Sequence, residues 1–282
     1  RSSVKDTYEQ VLSDLKKAEE LMSDFKSPAY ASKYAAQALL AKVYMYMSGT
    51  FENPNKEYAQ LSYNYANEVI ESNQFSLLSR STFMTYNELA PDAASQTETI
   101  FAVKFIASDW DDWGSPLGSM YAEIDGQGWG EVYASAKYMD LLHETGKNTD
   151  AREAFIHPQY KKNDAGDQIP AFRFVANLYT DGKISGYVYR QGETKEVGGK
   201  LIATVDDEEY TLTPVDVDNK RYSISYKGKT YVGDYDYLML ESQGNPKFYS
   251  YKCSKQEGYP HLYSPVISRL GELYLIRAEA SA

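Results

Sequence analysis

Residues 108–135 read SDWDDWGSPLGSMYAEIDGQGWGEVYAS and hold all three tryptophans of the chain. Trp110, Trp113, Trp129 and Tyr121 stand there among Asp109, Asp112, Glu123 and Gln127. Flat aromatic faces stack on the apolar C–H faces of sugar rings, while carboxylates and amides pair with the ring hydroxyls. The spacing follows neither a helical nor a strand period, so loops carry these side chains. A loop this long in a compact domain is usually functional or mobile. The competing reading makes each tryptophan an anchor that pins the loop to the core. At least one of the three is expected to meet a ligand.

Other chemistry finds less support. His143, His157 and His261 lie far apart, without the spacing of a zinc site, and Cys253 is the lone cysteine, which excludes an internal disulfide. Asp109, Asp111 and Asp112 form an acidic knot, but the twelve-residue calcium-loop pattern does not continue past them. GQGWGE (126–131) does not have the glycine spacing of a phosphate-binding turn. No nucleophile motif occurs. Two carboxylates from anywhere among 40 acids could act as a glycosidase pair, and nothing in the sequence singles such a pair out. The expectation is a protein without catalysis, metal or cofactor.

At 282 residues the chain is long enough for a large core. Acids outnumber bases 40 to 29, giving a net charge of -11. General affinity for nucleic acid or anionic lipid needs clustered cations and is not expected. No apolar run is long enough to span a membrane as a helix, and RSSVKDTYEQ at the start lacks the apolar stretch of a signal peptide. Tyrosine is over-represented, with 27 residues.

The flanking pattern supplies the elements that must position the aromatic loop. Tyr8, Val11, Leu12, Leu15, Ala18 and Leu21 predict an amphipathic helix over 4–22. Ser32 caps a second helix to Ser48, and a third covers 57–72. Leu40-Ala41-x2-Tyr44 and Ala59-x3-Tyr63-x2-Ala66 approximate the two helices of a tetratricopeptide repeat. Leu270-Gly271-x2-Tyr274 repeats the first-helix pattern without a second helix after it, so Leu270, Leu273 and Tyr274 are expected to await a partner helix. ETIFAVKF (98–105) predicts a strand and 135–145 a short helix. From about 183 to 251 the period becomes two, with hairpins around Asp206–Glu209 and Lys227–Lys229. The fold expected is α+β, predominantly α-helical, with long loops and a β-rich insertion. Its parts are a tetratricopeptide-like scaffold with the aromatic loop (1–157), the insertion (158–262) and an incomplete returning helix (263–282).

Four stretches, SVKDTYEQVLSDLKKAEELM (3–22), ASKYAAQALLAKVYMYM (31–47), YANEVIESNQFSLL (65–78) and SPVISRLGELYLIRAEA (264–280), resemble the SusD/RagB family. YASAKYMDLLHETGKNTDAR (133–152) resembles the family's central segment. The resemblance implies a non-catalytic nutrient-binding lipoprotein, facing outward on the outer membrane. It also implies a TonB-dependent transporter as partner and an oligosaccharide as ligand, with Trp110, Trp113, Trp129, Tyr121, Asp109, Asp112 and Gln127 as the local candidates for glycan contact. Two family features are missing here, the N-terminal lipidated cysteine and the C-terminal half of the helical scaffold, so the chain reads as a truncated copy. The β-like region is not a general family feature. A helical-repeat module that binds a protein or peptide without a sugar site is the alternative.

Overall fold

A computed structural model describes residues 2–50, 52–108, 114–144 and 149–282. In chain order it contains α1 (Val4–Leu21), α2 (Lys33–Met47), β1 (Gly49–Thr50), β2 (Asn53–Pro54), α3 (Lys56–Glu71), α4 (Arg80–Phe83), β3 (Thr99–Ala102), α5 (Pro116–Tyr121), α6 (Ala136–Leu142) and β4 (Ile156–Pro158). There follow β5 (Pro170–Thr180), β6 (Lys183–Val197), β7 (Lys200–Val205), β8 (Glu208–Thr211), β9 (Thr213–Asp216), β10 (Arg221–Tyr226) and β11 (Lys229–Tyr237). The chain closes with β12 (Glu241–Ser242), β13 (Asn245–Pro246), β14 (Phe248–Ser250), β15 (Val266–Arg269) and α7 (Leu270–Ala280). The fold is mixed α+β. Strands take about as many of the described residues as helices do, so helix does not predominate. None of these helices is long and apolar enough to cross a membrane.

The chain divides into two compact units, 1–118 with 253–282, and 119–252. The second therefore begins well before the boundary drawn at 157. The cause is local: α6 packs on β5 and β6, and Ala134 N–H donates to the Phe248 carbonyl, which ties 119–157 to the sheet.

In the first unit each long helix has a polar cap that satisfies an otherwise orphaned N–H. Ser3 and Asp6 cap one another reciprocally at α1, Ser32 caps α2 through Ala35 N, and Asn55 caps α3 through Tyr58 N. Helices α2 and α3 run antiparallel: Ser62 Oγ donates to the Ala41 carbonyl at 2.8 Å, and Gln37 Nε2 donates to Glu68 Oε2 at 2.9 Å. Leu40, Ala41 and Tyr44 are buried along this seam. The Tyr44 ring lies 5.8 Å from both Tyr58 and Tyr65. Tyr63, the aromatic of the repeat-like spacing, is half-buried. Positions 58, 62, 65, 66 and 69 make the inward stripe at helical spacing, and 63 falls beside it.

Helix α7 lies against the same pair. Leu270, Leu273 and Ile276 are buried with Ala66, Val69, Ile70, Phe75 and Ile100. Arg277 Nη1 donates to Asn67 Oδ1 at 2.8 Å, and Lys42 pairs with Glu272 at 2.6 Å. Leu270 and Leu273 are thus covered by α2 and α3, not waiting for another helix, while Tyr274 stays exposed under the Arg277 guanidinium.

The second unit is built on a seven-stranded antiparallel sheet in the order β8-β7-β6-β5-β11-β10-β9. Phe172, Phe174, Ala203, Val205, Ile224 and Tyr226 fill the core on one face. Val175, Tyr189, Met239 and Phe248 fill the other together with Met139 and Leu142 of α6. The hairpins β7–β8 and β10–β11 form where the alternation predicts them. Their two-residue turns, Asp206-Asp207 and Lys227-Gly228, have positive φ at both positions. That backbone matches the twist of the flanking strands.

Candidate functional site

Of the sequence-predicted contact residues, Tyr121, Gln127 and Trp129 are described and all lie in the second unit, whereas Asp109, Trp110, Asp112 and Trp113 fall outside the described residues. The segment from Ser119 to Tyr133 owes its shape to backbone pairing. Asp125-Gly126 makes a tight turn with φ of 52° and 78°, closed by two hydrogen bonds between Ile124 and Gln127 at 2.8 and 2.9 Å. The Asp-Gly pair is the sequence signal for such a turn. The N–H groups of Trp129 and Gly130 both donate to the Ser119 carbonyl, and those of Glu131 and Val132 to Met120, at 2.7–3.0 Å. Four donors on two acceptors fix the loop that carries Trp129.

Gly130 is the tightest point. Its φ is 55°, and a Cβ there would stand 2.6 Å from the Tyr249 hydroxyl. Only glycine lets the loop lie on that ring. Tyr249 is buried as a floor, with Tyr133 tilted against it at 6.4 Å. Trp129, its neighbour in the chain, is 43% exposed, unusual for so large an apolar ring and unlike a core anchor. Strand β14 pairs with β4 and brings a second aromatic pair to the unit: His157 stacks on Tyr251 at 4.4 Å and 12°.

Burial pushes the Tyr251 phenol up, and the Asp125 carboxylate adds to the effect. Burial likewise raises Tyr249, opposed by Lys247 and helped by Glu123. Both hydroxyls stay protonated near neutral pH and can donate to and accept from a polyol. Gln127 contributes an unusual atom. Its Oε1 is enclosed and meets no hydrogen-bond donor among the described residues. A buried acceptor in that state gains from any donor brought to it.

The sequence reading did not assign Tyr133, Tyr249, Tyr251 and His157 to a site. In KFYSYKC (247–253) Tyr249 and Tyr251 stand two residues apart, the strand spacing that puts them on one face. Among the described residues no three His, Cys, Asp or Glu side chains are grouped to hold a metal ion. The patch offers stacking faces and hydroxyl partners.

No protein-family model matches the sequence, and no curated protein does. Solved structures do. A SusD superfamily protein from Parabacteroides distasonis superposes with a TM-score of 0.56 at 16% identity, over 100% of this chain and 46% of that one. A protein from Bacteroides vulgatus gives 0.54 at 18% identity, over 100% of this chain and 42% of its own. A structure with a xylogluco-oligosaccharide gives 0.50 at 20% identity, over 98% and 45%. The chain therefore has the fold of SusD superfamily proteins, and it spans less than half the length of each of these three.

Proposed function

We infer that this chain, which shares the fold of SusD superfamily proteins, is a non-catalytic glycan-binding protein. In this reading it is anchored on the outer membrane, faces outward, and works with a TonB-dependent transporter in nutrient uptake. The observation that carries the binding role is Trp129, 43% exposed on a loop whose backbone is fixed by four hydrogen bonds. A large aromatic face held rigidly in water is suited to stack on a sugar ring at low entropic cost. Gln127, Tyr121 and the Tyr251–His157 stack extend the platform. The structural neighbour solved with a xylogluco-oligosaccharide supports an oligosaccharide as ligand.

The helices of the first unit form the tetratricopeptide-like scaffold in this reading. That scaffold packs towards the transporter in this reading. A glycan array followed by calorimetry tests the binding role. Trp129→Ala is expected to weaken the cognate glycan by about tenfold, or about 1.4 kcal/mol. Unchanged affinity in that variant, or turnover of the glycan by the wild-type protein, defeats the reading.

A further inference from the structure

The α6 face of the sheet buries an unusual amount of charge. His143, the C-cap residue of α6, is 4% exposed and lies between two carboxylates. Its Nδ1 is 2.7 Å from Asp234 Oδ2 on β11, and its Nε2 is 3.0 Å from Glu153 Oε1 in the 3-10 turn Ala151–Phe155. Ionised carboxylates only accept hydrogen bonds. Both ring nitrogens must therefore donate, which the imidazolium alone does. Burial opposes that charge, but the hydrogen bonds and charges of Asp234 and Glu153 outweigh it, and the pKa rises above the ordinary 6.5.

The groups facing this corner come from every neighbouring element. Arg221 on β10 donates to the His143 carbonyl and lies 3.3 Å from Asp234 Oδ1. Arg173 on β5 pairs with Asp236 at 3.0 Å, and the Tyr160 hydroxyl donates to the same carboxylate at 2.7 Å. Among the described residues, Asp140 of α6 and Tyr189 of β6 also line this corner. Burial raises the phenols of Tyr160 and Tyr189, so both stay neutral while a histidine titrates. Histidine is the residue type in this set whose ordinary range lies near neutrality.

We propose that His143 is a pH-operated clasp: as imidazolium it fastens the turn Ala151–Phe155 to α6 and the sheet, and as neutral imidazole it frees that turn. Losing one proton leaves a ring lone pair facing a carboxylate. Glu153 is the leg that opens. Its contact is the longer, and its side chain is 18% exposed against 11% for Asp234. A cavity of about 40 Å³, lined by His143, Glu153, Tyr160, Arg173 and Asp236, lies beside it and has room for a replacing water. Release stops at Phe155, which is buried under Lys252, and at β4, which β14 holds. Because the folded pKa is raised, the clasp stabilises the unit fully below pH 6.5. That contribution is lost as pH rises through the folded value.

Hydrogen exchange between about pH 6 and about pH 9, corrected for intrinsic rates, tests this across the range where a raised histidine titrates. Protection of residues 149–155 is expected to fall by up to about tenfold per pH unit above the midpoint, with β7–β8 unaffected. NMR of labelled histidines, assigned with His157→Gln and His261→Gln, should place His143 at the same midpoint. Glu153→Gln keeps an acceptor but removes the charge, so it should lower that midpoint in both measurements. A neutral His143 at about pH 6, protection that ignores the histidine titration, or a midpoint unmoved by Glu153→Gln overturns the proposal.

Discussion

The carboxylate of Glu98 accepts the backbone N–H of Gly271 at 3.3 Å and so caps α7 from a different part of the chain. The residue in the N-cap position, Arg269, makes no side-chain cap of its own. Glu98 also accepts from Leu78 N at 3.1 Å and pairs with Arg269 at 3.5 Å, and its carbonyl takes Leu270 N at 2.9 Å. A Cβ on residue 271 would stand 2.7 Å from the Glu98 carboxylate, which gives the glycine of RLGELY a physical reason.

Removing that cap should loosen α7 more than an exposed cap would, since the donors left behind are partly buried. Glu98→Ala is expected to cost about 2 kcal/mol in urea unfolding, from a lost cap and a stranded donor. Gly271→Ala should cost less, because the flexible Glu98 side chain can shift. A Glu98→Ala protein as stable as wild type would show that the cap contributes nothing.

Arg173 is 2% exposed in the middle of β5, with Nη1 donating to the Tyr237 carbonyl at 2.9 Å and Nη2 paired with Asp236 at 3.0 Å. Deleting one side of a buried pair leaves the other's desolvation uncompensated. Arg173→Met should destabilise the sheet by about 3–5 kcal/mol, read from the denaturant midpoint. A loss below about 1 kcal/mol, the scale of an exposed pair, would place the guanidinium in water instead.

Gln127 separates binding from stability. Replacing it with Met removes an acceptor that meets no donor among the described residues, so the melting temperature should hold or rise. Glycan affinity, measured by calorimetry on the same sample, should fall roughly three- to tenfold for the amide group removed from the platform. Equal affinity in the variant removes Gln127 from the platform.

Asp206 sets an acid dependence in the sheet. The Tyr226 hydroxyl, followed by Lys227 and Arg190, holds its carboxyl below the ordinary 3.8. A lowered folded pKa gives stability that is present above 3.8 and lost as pH falls through the folded value. Asn accepts the φ of 50° at this turn, so Asp206→Asn isolates the charge. The variant should be less stable than wild type at neutral pH and indistinguishable from it once the carboxyl is protonated in both states. A constant gap across the acid range would assign the effect to the turn.

Local chemistry explains what could be read from the chain. Ser32 caps a helix where the pattern places it, and Lys227-Gly228 turns where the alternation breaks. PAFRFVANLYT resisted the same reading because β5 is buried on both faces from Ala171 to Ala176, which erases the alternation that marks a strand. The aromatic site was legible only in its loop. Trp129 and Gln127 declare themselves by composition, whereas Tyr249, Tyr251 and His157 arrive through the pairing of β4 with β14, a long-range register that no short window contains.

The division of the chain also sets an order of events during synthesis. The second unit is one continuous stretch, 119–252, and its hairpins β5–β6, β7–β8 and β10–β11 each close through a two-residue turn. Contacts so local form early and fast. The core of the first unit is different: Val69 and Ile100 must wait for Leu270 and Leu273, which are made only after the whole second unit. The sheet is therefore ready to fold while the α2–α3 seam still exposes the apolar surface that α7 will cover, and that interval is when the nascent protein most needs a chaperone.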